Sequence, residues 1–198
     1  VLFIIGFTFK IAAFPFHMWV PDVYQGAPTT VTALMSTTGK TAAFSALIIA
    51  FTPIILGVTK NIFEPVIAVL ATLSMLYGSI VAIVQKDVKR MLAYSSIAHA
   101  GYMLIGLASG TFQGVSGIIF YLIAYTFMNI GAFGIISMLE GNNETNLDIQ
   151  SYSGLGYTKP LPAALLSIFM FALAGIPPFA GFFGKYYVFV SAIQSNLT

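Results

Sequence analysis

The stretch GFTFKIAAFPFHMW, Gly6 to Trp19, is almost wholly apolar, yet Lys10 sits inside it and Pro15 follows five residues later. A charged side chain at the centre of a membrane helix costs roughly 2.5–3.5 kcal/mol on insertion scales. Proline removes a helical hydrogen bond and clashes with the preceding turn. The stretch therefore reads as a membrane helix that is interrupted near Pro15 and holds a lysine beside the interruption.

The whole chain supports that reading. Its 198 residues are 58% hydrophobic and only 7% charged, against about 25% charged in soluble domains. Mean hydropathy is +0.92. Such a chain cannot cover a water-facing surface, so it is an integral membrane protein or a piece of one. Its apolar runs are continuous, not alternating as in a β-barrel. With no cysteine, disulfides, iron–sulfur ligation and CxxC zinc sites are excluded on this chain. A net charge of +2 is too small to indicate a nucleic-acid partner. No Walker motif or GxGxxG occurs. Val1 opens inside an apolar run with no charged n-region, which reads as a truncated start and not as a signal peptide.

Spans of about 20 apolar residues are expected at six places: up to about Phe16, Thr30–Phe51, Pro65–Val84, Val88–Ala108, Gly114–Leu139 and Leu161–Ile193. The last is longer than one straight span, and Pro177 and Pro178 should break it. HMWVPDVYQGAPTT (His17 to Thr30) is too polar to span, and its Trp19 and Tyr24 suit a segment lying at the membrane interface. The longest loop is EGNNETNLDIQSYSGLGYTKP (Glu140 to Pro160), a solvated turn region by composition. Alternate loops fall on opposite sides. One side receives Lys86, Lys89, Arg90 and Lys159, the other only Lys60, so the QKDVKR side (Gln85 to Arg90) is expected to be cytoplasmic.

Three lysines lie within apolar runs. Lys40 has about ten uncharged residues on each side and cannot readily snorkel to either interface. Lys10 and Lys185 each belong to a proline-interrupted segment, and paired broken helices point to a transporter built of inverted repeats. His99 lies roughly 13 Å past Arg90 at 1.5 Å per residue. That puts it near mid-membrane, where it either relays protons or bonds to Ser95 one turn back. His17 is expected at the interface in a structural role. Asp22 and Glu64 read as solvated or capping groups, and Asp87 as a helix-start acid. Tyr125 and Asn129 share a helix face; interhelical hydrogen bonding is their expected role, with a water path as the alternative. Gly106, Gly110 and Gly114 have a spacing that allows close helix approach.

Three blocks then resemble a known family: FKIAAFPFHMWVPDVYQGAPTTVTALMSTTGK (Phe9 to Lys40), KDVKRMLAYSSIAHAGY (Lys86 to Tyr102) and LAGIPPFAGFFGKYYVF (Leu173 to Phe189). They resemble the antiporter-like membrane subunits of respiratory complex I. PDVYQGAP (Pro21 to Pro28) looks like the branch called subunit N and less like branches L and M. Those two branches usually carry a THxxxK-type motif where this chain has AYTFMN (Ala124 to Asn129), a departure that again favours N.

The resemblance implies about fourteen helices, including two inverted five-helix bundles with one discontinuous helix each. This chain would then be a fragment of one antiporter-like domain, covering the end of the first repeat and most of the second. Lys10 looks like the lysine beside the first break, Lys40 like the central lysine of the next helix, and Lys185 like the lysine of the second broken helix.

The function implied is proton translocation through a buried lysine and water chain (Lys10, Lys40, Lys185 and His99, with breaks at Pro15, Pro177 and Pro178). It would be coupled to electron transfer from NADH to quinone elsewhere. Two cations about 8 Å apart interact by roughly 2 kcal/mol at an effective dielectric of 20, enough to pass a protonation change along such a row. NADH, FMN, iron–sulfur clusters and quinone belong to partner subunits on this reading, with no cofactor on this chain. The partners are the other membrane subunits, the lipid bilayer and protons, in the inner (plasma) membrane of a bacterium ahead of a mitochondrial or thylakoid membrane. The alternatives are an Mrp-type sodium/proton antiporter or membrane-bound hydrogenase subunit, and a purely structural subunit whose lysines form buried ion pairs.

Overall fold

A computed structural model of the chain describes residues 2–55, 60–141 and 147–195, with the backbone alone at 52–55 and 60–62. The helices are α1 (Leu2–Ile11), α2 (Trp19–Gly26), α3 (Thr29–Ile55), α4 (Lys60–Ile83), α5 (Val88–Ala108), α6 (Phe112–Leu139), α7 (Leu155–Thr158), α8 (Pro160–Ala174) and α9 (Ala180–Gln194), with a 3₁₀ turn at Ile149–Tyr152. No strand occurs among the described residues.

Among the described residues four helices, α3 to α6, are long and apolar enough to cross a bilayer. The other two expected spans are interrupted. The last becomes α8 and α9, separated by residues 175–179, and the first is α1 alone, followed after residues 12–18 by a second short helix, α2, beyond the expected span. The Phe14–Pro15 and Pro177–Pro178 peptide bonds are cis. Helix α1 stops at Ile11, short of the expected Phe16.

The stretch after it also departs from expectation. Most of the segment assigned to the interface is the helix α2, which packs chiefly against α5. Tyr24 is buried and meets Phe133 edge-on at 6.4 Å. Trp19 folds back to stack on Phe9 at 5.7 Å and donates its indole N–H to the Phe9 carbonyl at 3.2 Å. His17 is buried between the rings of Phe14 (5.5 Å) and Tyr77 (4.5 Å) instead of sitting at an interface. Aromatic residues in a short polar segment suit an interface, but they also suit a half-helix that must be gripped by its neighbours.

Helix α5 is the hub and is buried along nearly its whole length. Glycines set its distance from both flanking helices. A Cβ on Gly78 of α4 would lie 2.7 Å from the Ala98 nitrogen, and one on Gly101 would lie 2.8 Å from the Ala71 carbonyl oxygen. A Cβ on Gly114 of α6 would lie 2.2 Å from the Gly106 carbonyl oxygen. Gly106 and Gly114 therefore make a close approach, whereas Gly110 turns the chain between them at φ 60°.

The loops on one side are tied together. The Val88 amide donates to the Leu147 carbonyl and the Ile149 amide to the Lys86 carbonyl, both at 2.8 Å. Asp87 caps α5 through the Arg90 amide at 2.8 Å. Arg90 reaches Asp22 at 2.7 Å and Gln25 at 2.9 Å, and Lys89 donates to the Ala27 carbonyl at 2.9 Å. Thr29 donates to the buried carboxylate of Glu140. Asp22, expected to be solvated or capping, is exposed and also pairs with Arg90. The positive residues assigned to one side by alternation do share one end of the bundle, and Lys60 opens α4 at the other. Residues 142–146 of the long loop lie outside the described residues.

This arrangement gives a topology test. With cysteine introduced as Gln85→Cys in the full-length protein, an impermeant maleimide should label inside-out vesicles and leave intact cells unlabelled. Labelling of intact cells would reverse the orientation.

Candidate functional site

The last four carbonyls of a helix have no partner within it. In a low-dielectric interior each one left bare costs several kcal/mol. At the end of α1 the chain turns through Ala12, at φ 62°. This is a left-handed conformation that costs a non-glycine residue about 1 kcal/mol or more. The turn lets the Ala13 amide reach the Thr8 carbonyl at 2.9 Å and the Ala12 amide reach the Phe9 carbonyl at 3.1 Å. That pair of bonds is the Schellman ending. It leaves the carbonyls of Lys10 and Ile11 outside the turn's own bonds, Ile11 being the final one. Lys40 serves it: its Nζ, fully inside the bundle, donates to the Ile11 carbonyl at 3.1 Å and to the Ser96 carbonyl of α5 at 2.7 Å. The backbone beyond the break is also caught, since the Phe14 amide donates to Ser74 Oγ on α4 at 2.9 Å.

Helix α8 ends in the same way. Gly175 adopts φ 86°, its amide reaches the Ala172 carbonyl and the Ile176 amide reaches the Phe171 carbonyl, each at 3.1 Å. The two final carbonyls, Leu173 and Ala174, accept from Lys185 Nζ at 3.0 and 2.8 Å. The lysine belongs to α9, the second half of the same broken helix. Its ammonium also lies 4.7 Å from the centre of the Tyr102 ring, within range of a cation–π attraction. Each break thus ends on an ammonium that neutralises the negative end of a helix dipole.

Between the two lysines runs α5. His99 is buried and its Nδ1 lies 2.6 Å from Tyr121 Oη of α6, so its hydrogen bond is to Tyr121 and not to Ser95. Its ring centre is 5.8 Å from that of Tyr102 and 5.1 Å from that of Tyr125. His99 and Lys185 line one cavity of about 440 Å³, together with Ser79 and Ser95. Lys10 and Lys40 line a second, smaller one of about 180 Å³ against α2. The side chain of Lys10 is exposed on the described chain.

The structure therefore brings the four residues singled out in the sequence into two pairs, joined through the turn of α5 that holds Ser96 and His99. Pro15, Pro177 and Pro178 lie just past the helix ends, within the breaks. Sequence reasoning missed that the acceptors are backbone carbonyls. It also missed Tyr121, whose only sequence signal is its place one turn before Tyr125. Tyr125 and Asn129 were expected to bond between helices, but Tyr125 Oη and Asn129 Nδ2 are buried without a hydrogen bond.

The family model described as NADH:quinone oxidoreductase/Mrp antiporter, TM, matches residues 1–198. A protein named NADH-quinone oxidoreductase subunit N from Trichlorobacter lovleyi is 52% identical over 98% of the chain. A protein named NADH-quinone oxidoreductase subunit N 1 from Chloroherpeton thalassium is 50% identical over 100% of it. The chain spans 40% and 42% of those two relatives' lengths. Among solved structures, a chain of respiratory complex I from Thermus thermophilus with bound aureothin superposes with a TM-score of 0.82 and 38% identity, covering 98% of this chain and 42% of that one. A chain of the Mrp complex from Dietzia sp. gives a TM-score of 0.85 at 25% identity, covering 99% of this chain and 36% of that one.

The ending at Lys185 requires α9 to lie hard against α8. A Cβ on Gly181 would stand 1.8 Å from the Ala172 carbonyl oxygen, whereas one on Gly134 meets nothing within 4 Å. Gly181→Ala should lower stability by about 1–3 kcal/mol, the range for overpacking. Gly134→Ala should be neutral or raise it by up to about 1 kcal/mol through helix propensity. Thermal unfolding of the purified full-length protein compares them; equal melting temperatures would contradict the packing described.

Proposed function

Because the chain belongs to the NADH:quinone oxidoreductase/Mrp antiporter membrane family, we propose that it forms the proton-translocating core of an antiporter-like membrane subunit of NADH:quinone oxidoreductase, of the subunit N kind. Protons move along Lys10, Lys40, His99 and Lys185. The energy comes from electron transfer between NADH and quinone on partner subunits, which hold the FMN and the iron–sulfur clusters. The setting is the plasma membrane of a bacterium, with the QKDVKR end facing the cytoplasm.

One observation carries this reading: each of two lysines has two carbonyl acceptors at a broken helix, Lys185 the last two of α8, and Lys40 the last of α1 together with the Ser96 carbonyl of α5. An ammonium has three N–H donors. With two engaged, one proton is spare. Loss of that proton leaves a neutral amine with two N–H groups, still enough for both carbonyls. A lysine paired with a carboxylate would instead leave a buried bare anion on losing its proton. A carbonyl-held lysine can thus change charge without unlocking the helix end, as a relay site requires.

Alternation follows from the same arrangement. Charge on one lysine raises the cost of charge on the next through a low-dielectric medium. The cavity shared by His99 and Lys185 and the one shared by Lys10 and Lys40 give the transfers a route on each side of Ser96. A sodium/proton antiporter would use the same fold, as the superposition on the Mrp complex illustrates. The 52% identity to a subunit N favours the quinone-linked reading, and dependence of reconstituted transport on sodium separates the two.

Lys185→Arg tests the mechanism. Guanidinium keeps the positive charge and the donors but does not deprotonate in proteins. The variant should assemble with its membrane partners and lose most proton translocation, as should Lys185→Ala. Normal proton-to-electron ratios for the Arg variant in an intact complex would return Lys185 to a structural role.

A further inference from the structure

We propose that Tyr102 is a positioning residue for proton transfer, the face of its ring favouring Lys185 in the charged state, an assignment that rests on the proton-translocation reading above. The two carbonyl-held lysines are not alike. Lys40 and Lys185 each have two carbonyl acceptors. Lys185 has an aromatic face as well, its Nζ 4.7 Å from the centre of the Tyr102 ring, and among the described residues Lys40 has none. A ring face attracts a cation through its quadrupole. A neutral amine gains much less from the same face. The ring therefore adds to the preference of Lys185 for its ammonium form, and Lys40 lacks that addition.

Both partners are held in place. Tyr102 stands at i+3 from His99 on α5. Its ring meets that of His99 at 5.8 Å and 77°, and that of Phe189 on α9 at 5.9 Å and 66°. Such edge-to-face contacts fix a ring plane. The lysine is confined too. A Cβ on Gly175 would lie 3.0 Å from Lys185 Cδ and 3.1 Å from its Nζ, so the side chain runs close over the turn that ends α8.

The surroundings give the ring its role. Lys185 shares its cavity with His99 and Tyr102 of α5. Tyr121 of α6 packs on Gly184, the residue before it. Helix α8 brings carbonyls and no titratable side chain. Among the described residues no carboxylate pairs with Lys185. A charge on His99 opposes a charge on Lys185, whereas the Tyr102 ring favours one. The proton thus rests on Lys185 until a neighbouring charge displaces it. It then leaves Nζ as the third ammonium hydrogen, the amine keeps both carbonyls, and the hold of the ring is released.

The test reads the charge on Lys185 directly. The full-length subunit, labelled with ¹⁵N-lysine, is studied in lipid nanodiscs, and the Lys185 signal is identified by its loss in Lys185→Arg. Ammonium and amine nitrogens resonate apart, so the charged-to-neutral ratio is measured as pH is varied. Tyr102→Phe is compared with the same replacement carrying one, two and three ring fluorines, which weaken the quadrupole at nearly constant volume. Tyr102→Phe should stay close to wild type. The ratio should then fall with each fluorine, by about 2- to 30-fold in all, so that Lys185 gives up its proton at lower pH. A ratio that stays constant across the series overturns the proposal. In the assembled complex the pH profile of translocation should move with the ratio. A ring that only fills space would change the rate alike at every pH, and an unmoved profile removes Tyr102 from proton transfer. The arms stay separable: a flat fluorine series beside an inactive Lys185→Arg removes only the role of Tyr102. Normal translocation in Lys185→Arg removes the mechanism beneath it.

Discussion

The bundle depends on one interaction, a lysine ammonium bonded to the open carbonyl end of a half-helix in a setting without bulk water. A helix that stops inside a membrane exposes carbonyls that water would otherwise serve. Each break here serves two of them by the turn itself, then gives a lysine the final one at α1 and the final two at α8. The cost of burying the charge and the cost of breaking the helix thereby offset each other. Neither feature is sustainable alone: the lysine needs the partial negative charge of the helix end, and the helix end needs a donor.

The two breaks solve one problem with different parts. Gly175 turns the second at φ 86°, whereas Ala12 accepts the strain of φ 62° at the first. The lysine is borrowed from the next helix in one case and from the continuing half-helix in the other. Lys40 consequently fastens α1 to α5, while Lys185 fastens α8 to α9 and leans on Tyr102. These fastenings converge on α5, whose glycine contacts with α4 and α6 hold it close enough for backbone carbonyls to take part.

Much of this was legible in the sequence. Continuous apolar runs set the all-helical membrane class, and Val88–Ala108 was bounded to the residue because Asp87 caps its start. Pro177 and Pro178 announced the second break. The first was harder, because its helix stops at Ile11 through a left-handed alanine, which leaves no glycine signal. The depth of Lys40 followed from its uncharged flanks, and its partners did not, since carbonyls carry no sequence signature. Tyr24 and His17 misled for a related reason. Amphipathic rings suit a water interface and a tightly gripped half-helix equally, and only tertiary packing decides.

The central claim is that Lys40 works by gaining and losing a proton while it holds the end of α1. Lys40→Met keeps length and apolar bulk and removes both charge and donors. The direct measurement is the proton-to-electron ratio of the assembled complex carrying that variant, reconstituted in vesicles. The account predicts a clear fall in the ratio with the complex still assembled. A wild-type ratio would show that the ammonium at the end of α1 is only a structural cap.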